Sequence, residues 1–246
     1  MDTIKLKGKK TNMIAHRGVS KLERENTCAS FIAAGNRSYY GIETDILVTG
    51  DGNFVAMHDD TAERVTLGAC KADITRSTLE EVQSIRLPDL DGSFARSDIR
   101  IPTLADYVSI CKKYGKICIL EVKNTFKKDD LARMIEEIRK LEYLENVIFI
   151  SIEYENCVNL REMLPDAQIQ YLTRQRMDDT VLDMITSIGI DAGIDIDYSN
   201  PARNKERIDL LHRHGIKVNV CVCDDPELAR DIIDMGADYL TTNILE

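Results

Sequence analysis

Ile42-Glu-Thr-Asp-Ile-Leu-Val48 is the run on which the reading of this chain turns. As a strand it sends alternate side chains to opposite faces, so Glu43 and Asp45 project together. A later apolar run, Ile117-Cys-Ile-Leu120, leads into Glu121-Val-Lys123, and the same spacing puts Glu121 and Lys123 on one face. Two further runs close on imidazoles, His16 after Asn12-Met-Ile-Ala15 and His58 after Phe54-Val-Ala-Met57. Strands that end in carboxylates and imidazoles, where turn residues would be ordinary, point to one shared site.

Outward from these runs, short β-rich segments alternate with amphipathic ones almost from end to end. Strands are expected over residues 13–15, 42–48, 117–120, 147–150, 169–172, 192–196, 218–222 and 239–241. Helices are expected over 28–37, 104–114, 129–141, 155–163, 178–187, 204–214 and 226–235, with apolar positions recurring at three and four, as in Leu131, Met134, Ile135 and Ile138. Gly115, Gly215 and Gly236 stand just beyond periodic segments, where helices stop. About eight β/α units in this length predict an α/β fold, a single (β/α)8 TIM barrel, ahead of a doubly wound parallel sheet. One place breaks the alternation. Thr49-Gly-Asp-Gly-Asn53 is a turn cluster, so the second strand doubles back as a hairpin that ends at His58. Residues 59–102 then form a long insertion after the second strand, with a short helix near 78–85. At the catalytic end of a barrel such an insertion reads as a lid or a substrate-shaping subregion.

Composition narrows the function classes. A net charge of -10 argues against nucleic acid or an anionic membrane as partner. With 43% hydrophobic residues and no linker-like tract, one domain spanning 1–246 is expected. Seven cysteines, an odd number without CxxC spacing, read as reduced thiols of a cytoplasmic protein. Cys221 and Cys223 alternate on one strand, a poor match to a zinc site. The charged N-terminus lacks the apolar core of a secretory signal, and no apolar run is long enough for a membrane anchor. Oligomeric state is not legible.

Three carboxylates at one barrel mouth would repel each other unless a cation sat among them. Glu43, Asp45 and Glu121 offer oxygen only, which suits Mg²⁺ or Ca²⁺ better than zinc. His16 and His58 can exchange protons near neutral pH as general base and general acid. Arg17 and Lys123 supply positive charge for a phosphoryl oxygen, the first as a planar fork and the second as a point charge. Together these groups describe metal-assisted phosphodiester cleavage. His212 and His214, at a helix end, are expected to meet the last carbonyls and solvent. Asp195 and Asp197 share a face at the end of their strand and are candidates for holding substrate hydroxyls or a second ion.

His16-Arg-Gly with Glu25-Asn-Thr27 downstream, Glu43-x-Asp45, His58-Asp59, Ile101-Pro-Thr-Leu104 and Glu121-x-Lys123 together resemble the glycerophosphodiester phosphodiesterase family. The likeness runs on through Ser151, Pro165-Asp166 and Asp225-Pro226-Glu227, covering nearly all of residues 12–244. It implies a barrel enzyme of glycerol and lipid metabolism that hydrolyses small-molecule glycerophosphodiesters to sn-glycerol 3-phosphate and an alcohol, with one divalent cation. By position, His16 and His58 correspond to the catalytic histidines, Glu43, Asp45 and Glu121 to the metal ligands, and Arg17 and Lys123 to phosphate contacts. Water and the substrate's own 2-hydroxyl, which would give a cyclic phosphate first, stay open as the attacking group. Three positions depart from the family pattern: Arg24 stands for Pro, Cys221-Val222 for Trp-Thr, and Thr242-Asn243 for Thr-Asp. Related barrels share these histidines and carboxylates, so a lysophospholipase D or sphingomyelinase D-like activity is the alternative, marked by an exposed apolar rim. A non-catalytic phosphate-ligand binding barrel is a further one.

Overall fold

A computed structural model describes residues 2–6, 8, 10–173, 178–195 and 200–246. The strands are β1 (Asn12–Ala15), β2 (Gly41–Val48), β3 (Phe54–Ala56), β4 (Ile117–Val122), β5 (Val147–Ser151), β6 (Gln168–Thr173), β7 (Asp191–Asp195), β8 (Val218–Cys221) and β9 (Tyr239–Thr242). All but β3 run parallel in the order β1-β9-β8-β7-β6-β5-β4-β2, and β1 pairs with β2 to close an eight-stranded barrel. β3 lies antiparallel on β2, with Val48 opposite Phe54. This is the hairpin expected from the Thr49–Asn53 turn, and it continues as the Met57 N–H donates to the Asp45 carbonyl at 2.9 Å.

Helices α1 (Cys28–Gly35), α3 (Leu104–Tyr114), α4 (Lys128–Lys140), α5 (Tyr154–Met163), α6 (Asp179–Ser187), α7 (Pro201–Arg213) and α8 (Pro226–Asp234) follow the barrel strands, and the short α2 (Leu79–Ser84) lies in the insertion. Their starts are chemically marked. Thr27, Thr78 and Thr103 each accept from a backbone N–H three residues on, in a reciprocal capping box. Asp225 accepts from two N–H groups at the start of α8, where Pro226 needs no donor partner.

Alternation along the strands sorts the core in two. Ile42 and Ile46 of β2, and Cys118, Leu120 and Val122 of β4, pack outward among the helices. Ile119, Ile148, Ile150, Ile14 and Tyr239 form a separate cluster filling the barrel. Residues 59–102 have their own core of Ala62, Val65, Ile74, Val82, Ile85, Leu87, Ile99 and Ile101, which also takes in Leu47, Val55 and Met57 of the hairpin. The insertion therefore rests on the part of β2 that outruns the barrel. Among the described residues, no helix is long and apolar enough to cross a membrane.

Candidate active site

The proposed site residues come from β1, β2 and β4 or the residues just beyond them, except His58, which follows β3 of the hairpin. Register aligns Asp45 of β2 with Glu121 of β4 and Glu43 with Ile119. Odd positions of both strands face inward, and the barrel mouth thus collects the carboxylates. Glu43, Asp45 and Glu121 each offer an oxygen within 4.8 Å of the others. All three are buried, Glu43 at 2% exposure and Asp45 at 1%.

His16 follows β1, where its N–H donates to the Thr242 carbonyl at 2.8 Å. Its Nδ1 lies 2.8 Å from Asn243 Oδ1, and Nε2 lies 4.0 Å from Glu43 Oε2. The chain then turns sharply. Arg17 (φ 54°) and Gly18 (φ 74°) are both left-handed, and a Cβ on Gly18 would fall 2.4 Å from Ser30 Oγ. That turn aims the Arg17 N–H at Glu43 Oε2, 2.8 Å away. His58 comes from the hairpin, with Nδ1 2.5 Å from Asp59 Oδ1. Both imidazoles, with Arg17, Glu43, Glu121 and Lys123, line a cavity of about 190 Å³. The rest of the lining mixes apolar Ile150, Ile152, Leu172, Ile194, Cys221 and Val222 with polar Thr173, Asp195 and Thr241. Burial pushes the Cys221 thiol up to about 12, so the residue is a neutral part of that lining.

The two basic side chains are held by carboxylates. Lys123 Nζ is 2.7 Å from Glu121 Oε1 and 3.5 Å from Asp45 Oδ1. Arg17 Nη1 donates to Glu25 Oε1 at 2.8 Å. Its Nε is 3.2 Å from Asp45 Oδ2, an electrostatic contact without hydrogen-bond geometry. Asp45 Oδ2 instead accepts from Asn26 Nδ2 at 2.9 Å, and Asn26 in turn accepts from Thr44.

Charge balance differs sharply among the carboxylates. Burial, then repulsion from Asp45 and Glu121, raises Glu43 well above the usual range. Burial and Asp45 likewise raise Glu121, against the pull of Lys123. Asp45 is lowered, because Arg17, Lys123 and His58 together outweigh its burial. Burial, then the Arg17 charge, lowers His16 and favours a neutral ring. Glu43 Oε1 is buried without a hydrogen-bond partner. An unpaired buried carboxylate oxygen facing two more acids fits a hard divalent cation in chemistry and in charge.

Six residues, Arg64, Glu25, Asn26, Asp59, Asn243 and Asp224, make contacts around the site that the sequence did not assign. Arg64, from the insertion, donates Nε to Asp59 Oδ2 at 2.6 Å and both terminal nitrogens to Glu25 at 2.9 and 2.8 Å. It thus joins the carboxylate beside His58 to the one beside Arg17. Burial favours the neutral form of Glu25, yet Arg64 and Arg17 outweigh it and bring the carboxyl down to about 2. Asn243 and Asp224 stand behind His16. Glu25, Asn26 and Asp59 belong to quoted motifs but had no assigned part, and nothing local marks Arg64 or Asp224.

Other expectations divide. Asp195 lines the cavity, while Asp197 lies outside the described residues. His212 Nε2 pairs with Asp238 Oδ2 at 2.9 Å, a contact with the loop before β9 that the expected helix-end carbonyls did not include. Cys221 lines the cavity, whereas Cys223 is fully buried past the end of β8.

The glycerophosphoryl diester phosphodiesterase family model matches residues 16–246. A glycerophosphodiester phosphodiesterase of Caldanaerobacter subterraneus subsp. tengcongensis is 31% identical over 165 residues, covering 66% of this chain and 67% of that protein. The crystal structure of a glycerophosphodiester phosphodiesterase from Parabacteroides distasonis superposes with TM-score 0.74 at 26% identity, over 96% of this chain and 93% of that one. An Oleispira antarctica phosphodiesterase, solved in complex with the product sn-glycerol 3-phosphate, shares the fold with TM-score 0.83 at 23% identity, over 94% and 92%. With the barrel, the residues at its mouth and a match across nearly the whole sequence, the chain belongs to the glycerophosphoryl diester phosphodiesterase family.

Proposed function

We propose that this chain hydrolyses glycerophosphodiesters to sn-glycerol 3-phosphate and an alcohol, using His16 and His58 for proton transfer. The observation that carries the reading is a single cavity lined by both imidazoles, Arg17 and Lys123 above a buried three-carboxylate cluster. Glu43, Asp45 and Glu121 would hold one divalent cation, Mg²⁺ or Ca²⁺. When bound, such an ion supplies Lewis-acid withdrawal of charge from a phosphoryl oxygen. Arg17 and Lys123 add fixed positive charge on the same side of the cavity. The imidazoles move protons, one from the attacking oxygen and the other to the leaving alkoxide. The residues form one domain over 1–246 with 59–102 as its subregion, and seven free thiols support a reducing, cytoplasmic setting.

A lipid-cleaving reading has one observation in its favour. Leu67, Leu90 and Phe94 of the insertion are 63%, 49% and 36% exposed, an apolar surface that an acyl chain could use. Release of sn-glycerol 3-phosphate from glycerophosphocholine, glycerophosphoethanolamine and glycerophosphoinositol should be compared with head-group release from lysophosphatidylcholine. The proposal expects the deacylated diesters to have the higher kcat/KM. A preference of tenfold or more for the lysolipid would transfer the assignment to the lipid-cleaving activity.

A further inference from the structure

His16 and His58 differ in what stands behind them. His58 Nδ1 meets a carboxylate oxygen of Asp59, whereas His16 Nδ1 meets the amide of Asn243, where the family pattern resembled above has Asp. An amide presents either an acceptor or a donor, depending on how it is turned. Its neighbours decide the matter. Asn243 Nδ2 lies 2.8 Å from Asp224 Oδ2, and the Asn243 backbone N–H donates to Asp224 Oδ1 at 2.7 Å. Thr242 Oγ1 also donates to Asp224 Oδ1 at 2.9 Å, and Lys21 Nζ is 2.9 Å from Oδ2. These four donors clamp the Asp224 carboxylate as an acceptor. Turning the amide over would set Oδ1 against a carboxylate oxygen, acceptor to acceptor in a half-buried setting, and would forfeit a charge-assisted bond. Asn243 Oδ1 therefore faces the other way, where Ser20 Oγ donates at 2.6 Å and His16 Nδ1 stands at 2.8 Å. An unprotonated Nδ1 would set its lone pair against that of the oxygen at 2.8 Å, so Nδ1 carries a proton. A neutral His16 ring must then carry its lone pair on Nε2, the nitrogen on the Glu43 side.

We propose that Asp224 is a positioning residue for His16, fixing through the Asn243 amide the tautomer in which Nδ1 is protonated and Nε2 is a bare proton acceptor. The relay starts just past β8, crosses the end of β9 and reaches the end of β1, so three adjacent barrel strands set one proton. It rests on the proposed role of His16 in turnover only for its kinetic consequence; the tautomer itself can be read without any reaction.

The test is ¹⁵N-histidine NMR of the whole protein near pH ~8, where a neutral ring is expected. With four histidines in the chain, the His16→Ala spectrum assigns the His16 signals. The wild type should show a protonated Nδ1 and an unprotonated Nε2. Asp224→Asn removes the fixed anion with little change of shape. It should mix the two tautomers and lower kcat by about 10–100-fold while KM stays within about threefold, a fraction of what a whole acid/base group contributes. The exchanged pair Asp224→Asn with Asn243→Asp restores a donor facing an acceptor, so it should recover the Nδ1–H signature and most of kcat. A His16 signature that does not change in Asp224→Asn, or that stays mixed in the exchanged pair, overturns the proposal. Absence of diester hydrolysis in the wild type would instead strike at the functional reading and leave the NMR result standing.

Discussion

At the scale of single residues, Glu43 constrains the chemistry most. Its carboxyl is buried among acids with one oxygen unpaired, so ionising it without a cation is unfavourable. Its folded-state pKa lies above the ordinary 4.5, so the folded protein binds the extra proton. The stability that this proton confers is complete below about pH 4.5 and is lost as pH rises through the raised value. Chelated protein should therefore lose melting temperature as pH rises above that point, and Glu43→Gln should flatten the loss. Saturating Mg²⁺ or Ca²⁺ should flatten it in the wild type. A chelated wild type whose melting point follows that of Glu43→Gln at every pH would contradict the assignment. Glu25 has the opposite sign. Its carboxyl sits at about 2 against an ordinary 4.5, so its contribution is present above 4.5 and disappears as pH falls toward 2. Because Arg64 is half exposed, the contribution is on the order of 1–3 kcal/mol. Urea titrations of Glu25→Gln should show that deficit at pH 7 and a shrinking one below pH 4.5; a constant deficit would place the effect in packing.

The grouping of the candidate site residues was legible where a two-residue period did the work. Glu43 with Asp45, and Glu121 with Lys123, need only strand alternation, and that is local. Arg64, Asp224 and Asn243 were not, because their partners lie 39, 19 and 227 positions away for the pairs to Glu25, Asn243 and His16. Such pairs become visible only once the barrel closes.

At the scale of elements, the strand ends carry the candidate site residues and the capped helix starts fix where the outer helices begin. Ile101-Pro-Thr-Leu104 illustrates the division. It reads as a signature in the sequence, and its structural reason is now plain: Thr103 caps α3 and pairs with Val55, and the Pro102 carbonyl accepts from Ala56. α3 in turn sends the Tyr107 hydroxyl to the Ile42 carbonyl at 2.6 Å, against the strand that bears Glu43 and Asp45. Thr103→Ala removes one acceptor for the Asp106 N–H and should cost about 1 kcal/mol of stability, with kcat unchanged. A kcat loss of tenfold at full folding would mean that the cap shapes the site directly. Element boundaries agree with the periodicity to within a few residues. The hairpin was legible because Gly52 (φ 82°) stands in a Gly-Asp-Gly turn.

For the whole molecule, alternation of strands and helices sufficed to indicate a closed barrel, since each strand pattern asks for a helical cover on its outer face. The path of residues 59–102 was not legible, because a polar segment with scattered Ile and Val has no single period. The structure gives it a core of its own, continuous with the hairpin that bears His58. Arg64 ties that subregion to the barrel through Glu25, while holding Asp59 beside His58. Arg64→Ala should therefore leave the fold standing and lower kcat by about 10–100-fold, the usual effect of removing a group that orients a reacting one. Wild-type kcat in a folded Arg64→Ala protein would show that His58 and Arg17 keep their places unaided.

The most direct test of the account is the initial rate of sn-glycerol 3-phosphate release from glycerophosphocholine, glycerophosphoethanolamine and glycerophosphoinositol. It should be measured for wild type, His16→Ala and His58→Ala, each with chelator and with saturating Mg²⁺ or Ca²⁺. Turnover of at least one diester should need the cation and fall by about 10²–10⁴-fold in either histidine variant. Release that survives chelation, or a folded histidine variant retaining more than about a tenth of the rate, would contradict the proposed function.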